Sequence, residues 1–166
     1  MLEYRLETRL SKNIGKNGTG TTILRTKQGT KMNKILLLED DLSLINGLTF
    51  AFQKAGFELD IARTIKEADT AWTEGKYDLL ILDVSLPDGS GFEICRKVRQ
   101  TSKVPIIFLT VSDEEINVIM GLDMGGDDYI TKPFKVSVLM SRINALLRRA
   151  NDFGSANTEL HSNGIK

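Results

Sequence analysis

The chain has 166 residues, and its 22 basic and 22 acidic side chains give a formal net charge of zero. Hydrophobic residues make up 41% and charged residues 27%, which is typical of globular proteins and excludes a wholly disordered or collagen-like chain. The longest apolar runs are too short to cross a bilayer. The single cysteine, Cys95, excludes an intramolecular disulfide, and the single histidine excludes a metal site built from several histidines.

The first 31 residues differ from the rest of the chain. They contain seven basic and two acidic side chains, so the remaining residues carry fifteen basic and twenty acidic ones. Residues 11–30 are rich in Gly, Thr and Asn and bury too little apolar surface to offset the entropy of ordering them. We interpret 1–31 as a disordered or non-native basic extension, and expect the folded domain to begin at Met32. The alternative is a basic arm that binds nucleic acid.

From Lys34 onward, short apolar segments alternate with amphipathic segments. The apolar segments predict five strands, in chain order at 35–38, 57–62, 79–82, 104–110 and 129–131. The amphipathic segments predict five helices, at 43–55, 64–75, 90–99, 112–122 and 138–149. Three of these helices open with a Ser or Thr followed three residues later by Glu, the capping-box pattern: Thr64 and Glu67, Ser90 and Glu93, Ser112 and Glu115.

Strict alternation of strands and helices predicts an α/β fold, with a parallel sheet covered by helices on both faces. Five strands in so short a chain favour the flavodoxin-like, doubly wound order 2-1-3-4-5. In that order, ligands bind beyond the carboxyl ends of strands 1 and 3, where the winding direction reverses.

Polar residues occupy those strand ends: Glu39, Asp40 and Asp41 after strand 1, Asp83 after strand 3, Thr110 after strand 4, and Lys132 after strand 5. Several carboxylates in one crevice cannot all ionise cheaply, so a hard divalent cation such as Mg²⁺ is the expected partner. Lys132 adds a cation and Thr110 adds a hydroxyl donor. The set suits phosphoryl transfer, which needs positioning and charge neutralisation, and Asp83 is a suitable nucleophile.

Four segments carry a family resemblance: ILLLEDD, LLILDVSLPDGSG, IIFLT and DDYITKPF. Together they resemble the receiver domain of bacterial two-component response regulators, with its CheY-like fold. The DDYITKPF segment, followed by LLRR, is most similar to the OmpR/PhoB subfamily. The resemblance extends from Met32 to Arg149, so we expect a receiver domain over residues 32–150.

The resemblance implies that Asp83 accepts a phosphoryl group from a partner histidine kinase. The implied Mg²⁺ ligands are Glu39, Asp40, Asp83 and the backbone carbonyl of Ser85. Lys132 would pair with the phosphoryl oxygens, and its bond to Pro133 would be cis. Asp41 is expected to be the N-cap of the first helix rather than a ligand. The chain would be a phosphoacceptor with at most slow self-catalysed phosphorylation and dephosphorylation, not an enzyme in the usual sense.

Thr110 and Tyr129 resemble the switch pair of the family. Phosphorylation would draw Thr110 inward, let the Tyr129 ring turn inward, and favour homodimerisation through the face of helix 4, strand 5 and helix 5. The implied residues of that face are Asp127, Asp128 and Arg142, where the subfamily keeps ion pairs, with Val118 and Val138 replacing the usual Arg and Glu. Val111 also departs from the family, which usually has a small residue there.

Residues 151–166 are expected to be a flexible tail or the start of a linker. The subfamily controls transcription through a DNA-binding domain after the receiver, so DNA would be bound only through such a domain, which these residues do not supply. Two interpretations remain: a truncated regulator, and a stand-alone receiver that acts by binding another protein. Either would be cytoplasmic and make no membrane contact.

Two other functions are weighed against the receiver. A phosphatase of the haloacid dehalogenase type also uses Asp, Mg²⁺ and Lys, but it needs a second acid two residues after its nucleophile. Ser85 occupies that position. The second is an interaction module that works without phosphate.

Overall fold

The computed structural model describes residues 31–111, 114 and 124–164, with side chains up to Asp152. One sheet contains five strands, which we label β1 Lys34–Leu38, β2 Glu58–Ala62, β3 Leu79–Asp83, β4 Ile106–Thr110 and β5 Asp128–Thr131. Two further two-residue strands, Ser85–Leu86 and Gly89–Ser90, pair as an antiparallel hairpin. The described helices are α1 Leu42–Lys54, α2 Ile65–Ala71, α3 Gly91–Arg99 and a C-terminal helix, Val136–Gly164.

The five strands are all parallel and lie in the order β2-β1-β3-β4-β5. This confirms the predicted flavodoxin-like order. Leu38 pairs with both Ala62 and Leu82, and Asp83 pairs with Leu109. The carboxyl ends of β1, β3 and β4 therefore lie side by side, which brings the polar residues after these strands together.

The sheet buries side chains on both faces. Ile35 and Leu37 pack against α1 and the C-terminal helix, in a cluster that includes Phe52 and Ile143. Leu36 and Leu38 point to the opposite face, where the second cluster holds α2 and α3. Burial on both faces explains why the central strands are continuously apolar rather than alternating.

Local capping signals correctly predict where three helices begin. Asp41 is the N-cap of α1 and accepts hydrogen bonds from the amides of Ser43 and Leu44, as expected. Ser90 and Glu93 form the predicted capping box at α3. Thr64 caps α2 by accepting from the Glu67 amide, while the Glu67 carboxylate accepts from the Arg63 amide.

Two predicted helix ends are wrong. The prediction extended α2 to Gly75, but α2 ends at Ala71 because Trp72 adopts an extended backbone and stacks on Tyr77, with 6.4 Å between ring centroids. The last helix was predicted to end at Arg149, and its backbone instead stays helical to Gly164. That stretch contains no proline to stop it.

Some expectations lie outside the described residues. They concern residues 1–30 and most of the predicted fourth helix, including Val118 and the Ser112–Glu115 capping box. None of the helices in the described part of the chain has the length and hydropathy that a bilayer crossing requires.

A polar cluster at the amino end of the sheet gives a stability prediction. The buried Tyr77 hydroxyl donates a 2.7 Å hydrogen bond to Asp60, and the ammonium groups of Lys34 and Lys76 lie 3.5 and 3.6 Å from the same carboxylate. The Tyr77 bond, followed by the two lysines, holds the pKa of Asp60 below its ordinary value. This stabilisation is therefore complete above the ordinary pKa of an aspartate, and is lost as the pH falls through the lowered value.

We expect Tyr77→Phe to lower the free energy of unfolding by about 1 kcal/mol near pH 7, a modest loss because Asp60 is partly exposed. The loss should become smaller at acid pH, once the pH falls below the lowered pKa and Asp60 becomes protonated. Urea unfolding of both proteins at the two pH values measures the difference. An equal loss at both would contradict the assigned role of the Asp60 carboxylate.

Candidate functional site

Three carboxylates meet at the carboxyl ends of β1 and β3, and we call Glu39, Asp40 and Asp83 the acidic cluster. One carboxylate oxygen from each lies within 4.8 Å of the others. Glu39 is fully buried, Asp83 is 5% exposed, and Asp40 is half-buried. The structure thus brings together all three side chains that the sequence predicted as metal ligands.

Lys132 joins the acidic cluster from the loop after β5. Its Nζ donates to Glu39 Oε1 at 2.5 Å and to Asp83 Oδ2 at 2.9 Å, although 93 and 49 residues separate the partners. Its backbone amide donates to the Thr110 carbonyl at 2.6 Å, which ties the loop to β4. The Lys132–Pro133 bond is cis, as predicted.

Burial and charge act in opposite directions on these groups. Burial raises the pKa of Glu39, and the hydrogen bond from Lys132 opposes that rise. Burial alone would lower the pKa of Lys132, but its bonds to Asp83 and Glu39 outweigh burial and raise it. Lys132 is therefore a cation at neutral pH, and one cation faces three carboxylates.

Backbone amides fix the carboxylates in place. Glu39 Oε2 accepts from the amides of Asp40 and Asp41 at 3.0 and 3.2 Å. Asp83 Oδ1 accepts from the Ser85 amide at 3.2 Å, so each of its two oxygens has a donor. A clustered, preorganised set of hard oxygen ligands with excess negative charge fits a divalent cation such as Mg²⁺.

Close backbone packing beside Asp83 requires glycine at position 91. A Cβ on Gly91 would lie 2.2 Å from the Asp83 carbonyl oxygen, so any side chain there would force α3 away from β3. Gly91 was not among the residues predicted to belong to the site, although the Gly-Ser-Gly run in LPDGSG was a signal.

Two more residues near the site were missed. The Arg63 guanidinium donates to the carbonyl of Asp40 at 3.2 Å. The Asp88 carboxylate accepts from the amides of Ile65 and Lys66 at 2.8 and 3.2 Å. Pro-Asp-Gly predicts a turn, but no local pattern predicts contacts made to a distant helix.

The two predicted switch residues have different surroundings. Thr110 is 1% exposed and ends β4, next to the strand that carries Asp83. Tyr129 lies on the edge strand β5, paired with Phe108, and is 37% exposed. The pair thus combines a buried hydroxyl near the acidic cluster with an aromatic ring at the surface.

The predicted dimer-face charges are paired within this chain. Arg142 donates from one nitrogen to both carboxylate oxygens of Asp128 at 2.8 Å. Asp127 accepts from Arg99 at 3.0 Å and from the Ile106 amide at 2.8 Å. Val138 is 41% exposed. Cross-dimer pairing of these groups stays a prediction.

A groove of about 440 Å³ lies beside the site, between α1 and the loop after β5. Its lining includes Leu44, Val111, Lys132 and Phe134. Val111 is 67% exposed and follows the last residue of β4. A branched side chain therefore lies on the same groove as the lysine of the site.

The chain resembles known proteins in sequence and in structure. The family model "Response regulator receiver domain" matches residues 35–144. The chain is similar to an uncharacterized transcriptional regulatory protein, YclJ of Bacillus subtilis, with 45% identity over 123 residues, which cover 74% of this chain and 54% of that protein. It therefore spans about half the length of this curated relative.

Solved structures show the same fold. A two-component response regulator from Clostridium difficile has a TM-score of 0.67 and 33% identity, over 72% of this chain and 99% of that one. DrrB, described as a Thermotoga maritima OmpR/PhoB homolog, has a TM-score of 0.62 and 33% identity, over 72% of this chain and 54% of that one.

Proposed function

The chain belongs to the response regulator receiver domain family, and from that premise we propose that Asp83 accepts a phosphoryl group from a histidine kinase. One observation carries the proposal. The Asp83 carboxylate is 5% exposed and is held between the Lys132 ammonium and the Ser85 amide, within an acidic cluster. A carboxylate so placed is oriented as a nucleophile, and its attack on phosphorus forms an acyl phosphate.

The neighbouring residues have distinct roles in this proposal. Lys132 neutralises charge next to Asp83 and can pair with the oxygens of the transferred group. Glu39, Asp40, Asp83 and the Ser85 carbonyl would hold Mg²⁺, which supplies positive charge to the phosphoryl oxygens when bound. The protein would be a phosphoacceptor rather than an enzyme, with at most slow self-catalysed phosphorylation and dephosphorylation.

The phosphorylated form would act through Thr110 and Tyr129. Charge on Asp83 would draw the Thr110 hydroxyl toward it, and the Tyr129 ring would then turn inward. This change would favour homodimerisation through the face that includes Asp128, Arg142 and Val138. The exposed ring and the exposed Val138 support the proposal, since both have room to enter a contact.

The regulatory output that we propose for this receiver rests on the relatives of the chain. A relative named as a transcriptional regulatory protein supports control of transcription, through a DNA-binding domain that the described residues do not include. The location that we propose is the cytoplasm, where such a regulator would meet DNA. The second candidate is a receiver that acts by binding another protein. This chain can be expressed together with any coding sequence that follows it in frame. A DNA-binding assay on the product then separates the two candidate functions.

Beryllofluoride, a mimic of the phosphoryl group, tests the proposed site. Fluorine NMR should show bound beryllofluoride only when Mg²⁺ is present and Asp83 is intact. Binding without Mg²⁺ would overturn the proposal. A phosphatase of the haloacid dehalogenase type would in addition hydrolyse a phosphoester, and Ser85 in place of its second acid argues against that activity.

We expect Val111→Ala to speed both phosphorylation by a small phosphodonor and hydrolysis of the product. The physical reason is that Val111 lies on the groove beside Lys132, where a smaller side chain would widen the approach of the donor to Asp83. An increase of about threefold to tenfold corresponds to roughly 1 kcal/mol of barrier. Rates equal to wild type would show that Val111 does not restrict access to Asp83. Val136→Ala, on the same groove, is the control variant.

Dimerisation of the phosphorylated protein should depend only weakly on salt. Val138 stands where the subfamily usually has a glutamate, so less charge remains in the contact to be screened. Sedimentation of the beryllofluoride-bound protein at about 0.05 and 0.5 M salt measures this, with Val138→Glu as the matched variant. A steep loss of wild-type dimer at high salt would contradict the prediction.

A further inference from the structure

The hairpin formed by residues 85–90 connects Asp83 to α3, and we call it the 85–90 hairpin. Ser85 pairs with Ser90 and Leu86 with Gly89, so Pro87 and Asp88 form the tip. The carbonyl of Ser85 is one of the proposed Mg²⁺ ligands. The position of this hairpin therefore sets the position of one ligand of the site.

The base of the hairpin is held by its own neighbours. The Ser85 amide donates to Asp83 Oδ1 at 3.2 Å, and the Gly91 amide donates to the Val84 carbonyl at 3.2 Å. The capping box at α3 adds a 2.9 Å bond from the Ser90 amide to Glu93. These hydrogen bonds lie at or beyond the two ends of the hairpin. Between them, Leu86 packs against the core, and the tip is bound by a further side chain.

Asp88 holds the tip. Its two carboxylate oxygens accept from the amides of Ile65 and Lys66, the first two residues of α2, at 2.8 and 3.2 Å. These bonds span 23 and 22 residues, so they join the hairpin to a separate element. Thr64 meanwhile caps the same helix end through the Glu67 amide, at 3.0 Å.

We propose that Asp88 is a positioning residue for the metal site: by tying the tip of the 85–90 hairpin to α2, it holds the Ser85 carbonyl in place beside the acidic cluster. The inference rests on the proposed Mg²⁺ site. Asp88 itself is exposed and lies outside the acidic cluster; it acts through Ser85, as partners in the outer shell of metal sites do when they orient the ligands.

Titration calorimetry with Mg²⁺ alone tests the proposal. Asp88→Ala should weaken Mg²⁺ binding by about tenfold, the lower end of the range for loss of an outer-shell partner. Asp88→Asn keeps one acceptor oxygen for the Ile65 amide and should restore affinity to within about threefold of wild type. It also keeps the proposal testable where the alanine variant does not fold.

Thr64→Ala is the matched control, because it removes a cap from the same end of α2 without touching the hairpin. It should lower the melting temperature as Asp88→Ala does, while leaving Mg²⁺ affinity at the wild-type value. Equal affinity of Asp88→Ala and wild type would overturn the inference. So would an equal loss in Thr64→Ala, because Asp88 would then only stabilise α2.

The proposed site and this inference fail in different ways. If wild-type protein binds no Mg²⁺, or if Asp40→Asn binds it as tightly as wild type, the metal site is wrong and the inference falls with it. If wild type binds and Asp40→Asn does not, while Asp88→Ala matches wild type, only the role of Asp88 is wrong.

Discussion

Asp83→Asn should abolish phosphorylation by a histidine kinase and by small phosphodonors. The amide has nearly the shape of the carboxylate and can still accept from the Ser85 amide, but it is not a nucleophile toward phosphorus. The expected loss is at least about 10³-fold in rate, because no other group replaces a covalent acceptor. Incorporation of radioactive phosphate over time measures it.

Asp41→Asn is the matched control for this variant. Asp41 belongs to the same acidic run, but its side chain accepts from the amides of Ser43 and Leu44 and caps α1. Asparagine is an equally good N-cap, so both folding and phosphorylation should survive. If Asp41→Asn also abolished phosphorylation, the division between cap and cluster would be wrong. Phosphate incorporation into Asp83→Asn would show that another residue is the acceptor.

Lys132→Met should be the next most damaging change. Without the ammonium group, the buried carboxylates of Glu39 and Asp83 face each other with no cation between them. We expect a loss of about 2 kcal/mol of unfolding free energy, less than for a fully buried pair because the lysine side chain is 18% exposed. Phosphorylation should slow by about 10²-fold, since one group that stabilises developing charge is gone.

Lys135→Met, an exposed lysine three residues further on, is the control for both measurements. It should leave the melting temperature and the phosphorylation rate near wild type. Millimolar Mg²⁺ should return part of the stability lost in Lys132→Met, because a ligand that binds only the folded state stabilises it. Wild-type stability of Lys132→Met without Mg²⁺ would contradict the electrostatic account of the site.

Most of the architecture is predictable from the sequence because the signals are local. Continuous apolar runs such as Leu79–Leu82 indicate strands buried on both faces, and alternation with helices then restricts the strand order. Once the order is fixed, the residues that follow β1 and β3 must share one edge of the sheet. The strand order alone therefore predicts that Glu39 and Asp83 lie close together.

The features that the sequence did not predict depend on side-chain contacts that no local sequence pattern indicates. Trp72 leaves α2 to stack on Tyr77, and no helix-ending signal in the sequence marks that position. The sequence predicts only that Asp88 belongs to a turn, whereas the structure shows its two hydrogen bonds to α2. The ion pair between Asp128 and Arg142 within one chain was not predicted either, and their part in a contact between chains stays a prediction.

The structure also refines the chemical account of the site. The sequence predicted that several carboxylates, Lys132 and the Thr110 hydroxyl share a crevice, but not which of these groups pair. The distances show that Lys132 bridges Glu39 and Asp83, and the burial shows that Glu39 is the most deeply enclosed of the three acids. Asp40 is the most exposed of the three carboxylates, while Asp83 is 5% exposed and bound by Lys132.

Chemical identification of the phosphorylated atom is the most direct test of the account. Borohydride reduces an aspartyl phosphate to homoserine, and mass spectrometry of the digested protein then locates the modified residue. The account predicts homoserine at position 83 alone, formed only when Mg²⁺ was present during phosphorylation. Homoserine at another aspartate, or phosphate retained on a serine, threonine or histidine, would contradict it.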